Sequence, residues 1–348
     1  MADTDLSTLR THLLAGHAIP AQPLALDANR KLSEKHQAAL TKYYVEAGCG
    51  GLAVAVHSTQ FEIREHGLMP PVLELASRTI DETKGERPFI KIAGLCGRTP
   101  QALAEAELAL RHGYHAGLLS LAAWKGEEEA AILAHVRTVA QAIPVIGFYL
   151  QPSVGGRVFS YAFWRRFAEI PRVIAIKIAP FNRYQTIDVV RAVSDAGRDD
   201  IALYTGNDDT IVADLLTPYR FGEAGGKTRR IVGGLLGHWG VWTRQAVGLL
   251  EEIKALGDGP IAPEWMTRAV EITDMNAALF DPAHQFAGCI PGILEVLRRQ
   301  GLVPTIHCLN PHEVLSPGQG EELTRVINAY PHWVDDAFVA ENLDRWLK

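Results

Sequence analysis

Eight short apolar segments alternate with longer segments of helical periodicity along most of this chain. From the second apolar segment on, they recur roughly every 30 residues, which is the length of one strand–helix–strand unit. The apolar segments span residues 18–24, 51–56, 88–93, 116–121, 144–149, 173–178, 201–204 and 231–236. Helical segments between them include residues 33–47, 99–112, 127–141, 161–168 and 186–196. Eight such units in about 240 residues predict a (β/α)8 barrel rather than an open doubly wound sheet.

The alternation stops after residue 256. Helical segments follow without a further strand signal, at residues 264–279, 285–300, 321–329 and 334–346. We therefore predict a barrel over residues 1–256 and a helical C-terminal extension over residues 257–348. The glycine-rich residues 222–228 lack the spacing of a phosphate-binding loop, and we expect an exposed turn there.

Composition and charge exclude several classes of function. Of the 348 residues, 47% are hydrophobic and 21% are charged, which is typical of a packed soluble protein. A net charge of -6 without runs of like charge gives no sign of a nucleic-acid partner. No apolar stretch is long enough to cross a membrane, and the N-terminus does not look like a signal peptide. The four cysteines form no CxxC pair, so we expect reduced thiols and a cytoplasmic location.

A lysine interrupts the sixth apolar segment, VIAIKIAP, at position 177. Lys177 is near the end where the chain leaves the strand, and in a (β/α)8 barrel these ends form the active face. Period-two alternation sets Lys177 on the same side as small alanines, whereas the isoleucines point to the other side. The small neighbours would leave space inside the barrel mouth.

An amine in such a place suits covalent catalysis. Burial disfavours the charged ammonium, and the neutral amine can condense with a carbonyl to form a Schiff base, an electron sink for the adjacent carbon–carbon bond. The simpler alternative is a structural lysine paired with a carboxylate. Lys91, in the third strand, is a competing candidate, but we expect it deeper in the barrel and in an ion pair.

Five segments carry a family resemblance. They are AIPAQPLALDANRKLS, AGCGGLAVAVHSTQFE, GFYLQP, VIAIKIAP and YTGNDD, at residues 18–33, 47–62, 147–152, 173–180 and 204–209. In this order they resemble the opening strand, the GTTGE-type loop, the YNVP segment, the lysine strand and the SGDD segment of the dihydrodipicolinate synthase and N-acetylneuraminate lyase family of Schiff-base aldolases. The resemblance runs from about residue 16 to residue 256.

The resemblance implies roles for particular residues. Lys177 falls on the family's imine-forming lysine, and Tyr149 on a tyrosine that relays protons. A phenol suits that work because it both donates and accepts, and its pKa falls when a cation lies nearby. Ser58 and Thr59 fall approximately where two threonines bind the carboxylate of the 2-oxo acid, although a slip of one residue would bring His57 into the pair.

The resemblance also implies that the loop after the seventh strand lines the pocket, through Gly206 and Asn207, although a plain turn would look the same. Family members commonly assemble as dimers of dimers. It therefore implies a homo-oligomer, a dimer or tetramer.

Two departures from the family pattern argue against dihydrodipicolinate synthase activity. The arginine that follows the YNVP segment is replaced by Val154, and Arg157 is displaced by three residues. The PYY segment after the fourth strand, which supplies a relay tyrosine from the adjacent subunit, is replaced by residues 122–124, Ala-Ala-Trp. Lysine biosynthesis is therefore not the expected function.

Bulky side chains replace the small and acidic residues of the family's mouth. Aromatic and imidazole groups are expected near the same end of the barrel, and they are Trp124, His57, Phe61, His238 and Trp239. This set suggests a partner substrate with apolar or aromatic character, although each residue alone is more often a packing or loop-surface residue than a ligand contact. His57 or His238 is a candidate to replace the missing tyrosine as proton carrier, since an imidazole titrates near neutrality.

The sequence thus predicts a Schiff-base lyase of this superfamily, an aldolase or dehydratase acting on pyruvate or a pyruvate-derived 2-oxo acid. Lys177, Tyr149 and His57 are the candidate catalytic residues. Candidate substrate contacts come from Ser58, Thr59, Gly206, Asn207, Trp124 and His238. No metal or cofactor is expected, because the protonated imine supplies the positive charge. The alternatives are a non-catalytic 2-oxo acid binder and a metal-dependent aldolase.

Overall fold

The computed structural model of the protein describes residues 5–222 and 228–348. Within that part, eight strands form the barrel sheet: β1 Ala18–Pro20, β2 Gly51–Val54, β3 Ile90–Leu95, β4 Ala116–Leu119, β5 Val145–Leu150, β6 Val173–Ala179, β7 Ala202–Thr205 and β10 Gly233–Leu236. Their order in the sheet is β1-β10-β7-β6-β5-β4-β3-β2. The fold is the predicted (β/α)8 barrel.

Every predicted apolar segment overlaps one of these strands. The largest difference is at the first, where residues 18–24 were predicted to be extended but β1 ends at Pro20. Proline has no N–H to donate to a strand ladder, and Pro20 and Pro23 fall in this segment, so the ladder ends early.

Helices lie between the strands. They are α1 Leu6–Leu14, α2 Glu34–Ala47, α3 Met69–Thr83, α4 Thr99–Arg111, α5 Glu129–Ala142, α6 Tyr161–Ala168, α7 Arg183–Asp195, α8 Ile211–Leu216 and α9 Thr243–Leu256. The C-terminal helices are α10 Glu264–Phe280, α11 Cys289–Arg299, α12 Gln319–Ala329 and α13 Asp336–Trp346. These four agree with the four helical segments predicted after residue 256.

Two short strands were not predicted. β8, Tyr219–Arg220, pairs antiparallel with β9, Thr228–Arg229. They flank the glycine-rich segment, of which residues 223–227 lie outside the described part of the chain.

The chain divides into two compact units. One comprises Met1–His17 and Ile90–Leu235, and the other comprises Ala18–Phe89 and Leu236–Lys348. The C-terminal helices therefore belong to the same unit as β1 and β2. The boundary at residue 257 remains a sequence-based prediction.

In the first unit, strands β3 to β7 and β10 pair in parallel, each with its neighbour in the sheet order. The faces of β5 and β6 are identified by Gly147: a Cβ atom there would lie 2.7 Å from the Phe167 ring of α6 and 3.5 Å from Ile176. Ile176 therefore faces the helices, as predicted. The alternate residues of β6, including Lys177, face the other way, toward the barrel interior.

In the second unit, a buried polar cluster fixes the start of α13 against α2. The Tyr43 hydroxyl donates to Asp335 Oδ2 at 2.7 Å and accepts from the Thr243 N–H at 2.7 Å. The Arg244 N–H and the Gln300 amide also donate to the Asp335 carboxylate, at 3.0 and 2.9 Å. The buried carboxylate of Asp335, directly before α13, therefore holds the start of this helix in place through hydrogen bonds.

We expect Asp335→Ala to lower the free energy of unfolding by roughly 2–4 kcal/mol, because three donors, the buried Tyr43 hydroxyl among them, lose their acceptor. Urea denaturation followed by circular dichroism measures the change. Asp336→Ala is the matched control, since Asp336 is exposed and accepts only at the edge of the cluster. If both variants lose the same unfolding free energy, the buried Asp335 carboxylate does not hold the start of α13 in place.

Candidate active site

Lys177 is the fifth of the seven residues of β6, near the end where the chain leaves the strand. All other residues of this strand are buried, whereas Lys177 is partly exposed. The burial expected for this amine is therefore only partial. Lys91 differs in position, because it is buried and is the second residue of β3, at the entry end.

The Lys177 side chain lies between two neighbouring strands. On β5, its register partner is Phe148, and the Lys177 Nζ lies 4.4 Å from the centroid of the Phe148 ring. On the other side, a Cβ atom at Gly206 would lie 2.7 Å from Lys177 Cε and 3.1 Å from its Cγ. In this conformation the lysine thus occupies space that a side chain at residue 206 would need.

Asn207 has a structural role in the loop after β7. Its buried amide donates to Thr186 Oγ1 at 3.0 Å and to Asp214 Oδ2 at 2.9 Å, and its oxygen accepts from the Phe181 N–H at 3.0 Å. Both amide hydrogens are therefore used within the protein. Asn207 thus links the loops that follow β6 and β7 by hydrogen bonds. Its contact with substrate stays a prediction.

Tyr149 lies on the opposite face of β5 from Phe148. Its register partner is Ile178, its ring centroid lies 5.0 Å from that of Trp164 on α6, and its hydroxyl accepts from the Phe159 N–H at 3.3 Å. Burial raises the pKa of the Tyr149 phenol, whereas a nearby cation was expected to lower it. The structure thus places Tyr149 in the helix layer and away from the Lys177 face.

Trp124 follows β4, but its side chain is buried rather than exposed at the strand exit. Its indole lies 4.6 Å from the His135 ring of α5, and the Arg98 guanidinium lies 4.8 Å from the indole centroid. Burial lowers the pKa of His135 to about 4. The displaced Arg157 is also occupied, because it donates to the Glu127 carbonyl at 2.7 Å.

The loop after β2, in the second unit, contains His57, Ser58 and Thr59. The Ser58 hydroxyl donates to the Ala21 carbonyl at 2.9 Å, and the Thr59 hydroxyl donates to the Gln22 carbonyl at 2.6 Å. Both hydroxyl hydrogens predicted to bind a carboxylate are therefore committed to the backbone. His57 is partly exposed beside Phe61, with ring centroids 5.9 Å apart.

This loop is bordered by strained backbone. Ala55 and Gln60 have φ angles of 62° and 67°, a left-handed conformation that is uncommon for residues other than glycine. The Gln60 side chain accepts from the Leu309 N–H at 2.6 Å, so residues beyond the barrel strands hold the loop in place. The GTTGE comparison could not reveal this contact, because residue 309 lies outside the resemblance.

His238 and Trp239 are buried in the second unit, at 6% and 0% exposure. His238 bonds to Asn276 of α10, and burial lowers its pKa to about 4. His238 is thus packed in the interior of this unit, and its pKa lies below the near-neutral value expected of a proton carrier. Its contact with substrate stays a prediction. Of the five mouth residues named above, His57 and Phe61 are the ones left partly exposed.

The lowered pKa of His238 predicts a loss of stability in acid. Because the unfolded state binds this proton near pH 6.5 and the native state only near pH 4, stability from this group falls as the pH drops between those values. Between pH 7 and pH 5 we expect the wild type to lose about 2 kcal/mol more unfolding free energy than His238→Gln. Urea titrations at both pH values measure the difference. Equal losses in the two proteins would show that His238 carries its proton in the native state.

Within residues 5–222 and 228–348, no group of three or more His, Cys, Asp or Glu side chains could hold a metal ion. Over the same residues, no helix is both long enough and apolar enough to cross a membrane.

A parallel barrel with a lysine at the interior exit end of β6 defines a class of (β/α)8 proteins to which Schiff-base aldolases belong. Residues 16–226, more than half of the chain, match the model of the dihydrodipicolinate synthetase family. The chain belongs to this family. No curated protein matches it in sequence.

Several solved structures share the fold. Dihydrodipicolinate synthase from Cyanidioschyzon merolae with lysine bound is 21% identical, with a TM-score of 0.74, over 92% of this chain and 99% of that one. The enzyme from Acinetobacter baumannii, complexed with pyruvate, is 18% identical, with a TM-score of 0.73, over 90% and 98%. CdNal from Clostridium difficile, in complex with mannosamine, is 15% identical, with a TM-score of 0.71, over 90% and 99%.

Proposed function

We propose that the protein is a class I lyase in which Lys177 forms a Schiff base with pyruvate or a pyruvate-derived 2-oxo acid. The observation that carries the proposal is the position of Lys177, at the exit end of β6 on the interior face, beside a glycine that leaves it room. The family supplies the reaction class. Aldol cleavage and dehydration both proceed through the same enamine.

The chemistry follows from the amine. The neutral Nζ attacks the ketone carbon, one of its protons passes to the carbonyl oxygen, and a carbinolamine that is uncharged at nitrogen forms. Its hydroxyl then takes up a proton and leaves as water, and the protonated imine that remains withdraws electrons from the neighbouring carbon. His57 and Tyr149 are the predicted proton carriers, with Ser58 and Thr59 as predicted carboxylate contacts. The roles of Tyr149, Ser58 and Thr59 derive from the resemblance, and that of His57 from its position beside the predicted carboxylate loop.

We further propose that the reaction differs from that of dihydrodipicolinate synthase. Val154 stands where the family arginine is expected, and Arg157, the nearest substitute, already donates to a backbone carbonyl. A substrate carboxylate would have to displace that contact. The partner substrate is therefore expected to lack the carboxylate that the arginine binds in those enzymes.

Borohydride trapping tests the proposal. The protein is incubated with pyruvate, reduced and weighed by mass spectrometry, with samples lacking pyruvate or borohydride and a sample containing a chelator. We expect a pyruvate-dependent mass gain that is insensitive to the chelator. Turnover that disappears with the chelator, with no mass gain, would instead identify a metal-dependent aldolase.

A 2-oxo acid binder without turnover is the second candidate function. The position of Tyr149 in the helix layer favours it, because that placement leaves the predicted proton relay away from Lys177. The trapping experiment gives an adduct for both candidates. Cleavage or dehydration of aryl or sugar-acid adducts of pyruvate, followed by release of pyruvate, then separates the enzyme from the binder.

We also propose that the protein is cytoplasmic and that it forms a homo-oligomer, a dimer or tetramer. The location is supported by four cysteines that are all free thiols. The oligomer is supported by family membership. Light scattering of the purified protein measures its mass, and a monomer at working concentration would contradict the second proposal.

A further inference from the structure

Phe148 lies beside the reactive amine on the neighbouring strand. It is paired in register with Lys177, its side chain is 5% exposed, and its ring centroid lies 4.4 Å from Lys177 Nζ. The nitrogen is positioned over the face of the ring, where the negative end of the aromatic quadrupole attracts positive charge. Any atom that becomes bonded to Nζ will also lie close to this ring.

The charge on Nζ changes during the proposed reaction. The attacking amine is neutral, and so is the carbinolamine formed when Nζ bonds to C2 and the carbonyl oxygen becomes a hydroxyl. When that hydroxyl takes a proton and leaves as water, C2 and Nζ share a double bond and the nitrogen becomes cationic. The ring can therefore discriminate between these two successive intermediates, because only in the second does Nζ carry a positive charge.

Shape acts in the same direction as charge. The carbinolamine carbon is tetrahedral, whereas in the iminium the nitrogen, C2 and the two carbons attached to C2 lie in one plane. A flat cation can rest on a ring face, and a tetrahedral neutral centre fits it less well. An aliphatic side chain of similar volume would supply the packing without either preference.

We propose that Phe148 stabilises the iminium formed on Lys177 relative to the carbinolamine that precedes it, and so favours loss of water. This inference rests on the proposed function, since it requires a Schiff base at Lys177. It assigns to Phe148 a direct contact with the reacting nitrogen. The ligand that it favours is the planar adduct of a 2-oxo acid.

Carbon-13 NMR separates the two intermediates. The full-length protein is saturated with pyruvate labelled at C2, so that the free ammonium form is not populated, and the C2 signals of carbinolamine and iminium are integrated. We expect the iminium-to-carbinolamine ratio to fall roughly tenfold in Phe148→Leu. Phe148→Tyr keeps the ring, and its ratio should stay within about twofold of the wild type.

Fluorinated phenylalanines at position 148 provide a second test, in case Phe148→Leu does not fold. Phenylalanines with one, two and three ring fluorines keep nearly the same shape at position 148 while their affinity for cations falls stepwise. The ratio should fall in the same order. A ratio that does not change across the series, or that is unchanged in Phe148→Leu, overturns the inference while the adduct itself still supports the proposed function. A wild type that forms no adduct overturns both.

Discussion

Lys177→Arg is expected to abolish the pyruvate-dependent adduct, lowering its rate of formation by at least about a thousandfold. Arginine keeps a positive charge over the Phe148 ring and a similar length, but a guanidinium stays protonated and forms no imine. The change therefore removes the nucleophile while retaining the cation–π contact. Borohydride trapping followed by peptide mapping measures the loss and locates any residual label.

Lys125→Arg is the matched control for this experiment. Lys125 is exposed, beyond the exit of β4, so its replacement should leave adduct formation unchanged. The free energy of unfolding of both variants should stay within about 1 kcal/mol of the wild type. An undiminished adduct in Lys177→Arg would transfer the chemistry to another lysine, with Lys91 the first to be tested.

Gly206→Ala is expected to slow adduct formation roughly 10- to 100-fold. The added Cβ would lie 2.7 Å from Lys177 Cε and 2.8 Å from Ala179 Cβ, so the lysine must shift by several tenths of an ångström or more. Displacement of a reacting atom by about 1 Å can cost a hundredfold in rate. Overpacking should also lower the unfolding free energy by roughly 1–3 kcal/mol.

Gly248→Ala provides the comparison for the glycine variant. Gly248 lies in α9, and a Cβ there would meet no atom within 4 Å. This variant should form the adduct at the wild-type rate. If Gly206→Ala also does so at equal pyruvate concentration, the lysine does not need the space that Gly206 leaves, and the close fit has no functional consequence.

Much of the fold followed from local pattern. The eight strands and the C-terminal helices carry periodic apolar residues, and the position of Lys177 near a strand exit needs only the bounds of one segment. Burial of the isoleucines of β6 against the helices also followed from alternation along that single strand.

Which side chains share the face of Lys177 could not be predicted from one strand alone, because it depends on the register between strands. Tyr149 matched a motif, but the register between β5 and β6 pairs Phe148 with Lys177 and turns Tyr149 toward α6. Counting by two from Tyr149 would have set Phe148 on the other face, yet only the register shows which of the two shares the face of the lysine.

The burial of individual polar groups also could not be predicted from the sequence. His238 and Trp239 look like mouth residues because they follow a strand, but both are buried, and His238 bonds to Asn276 of α10. Likewise, the hydroxyls of Ser58 and Thr59 have the right chemistry for an anion but already donate to carbonyls of the segment after β1. These contacts join residues far apart in the chain, and a motif comparison does not report them.

The most direct measurement is a crystal structure of the protein soaked with pyruvate. We predict continuous electron density from Lys177 Nζ to C2 of the ligand, with the planar adduct over the Phe148 ring. Pyruvate bound without a covalent link, or linked to a different lysine, would contradict the central claim that this amine is the nucleophile.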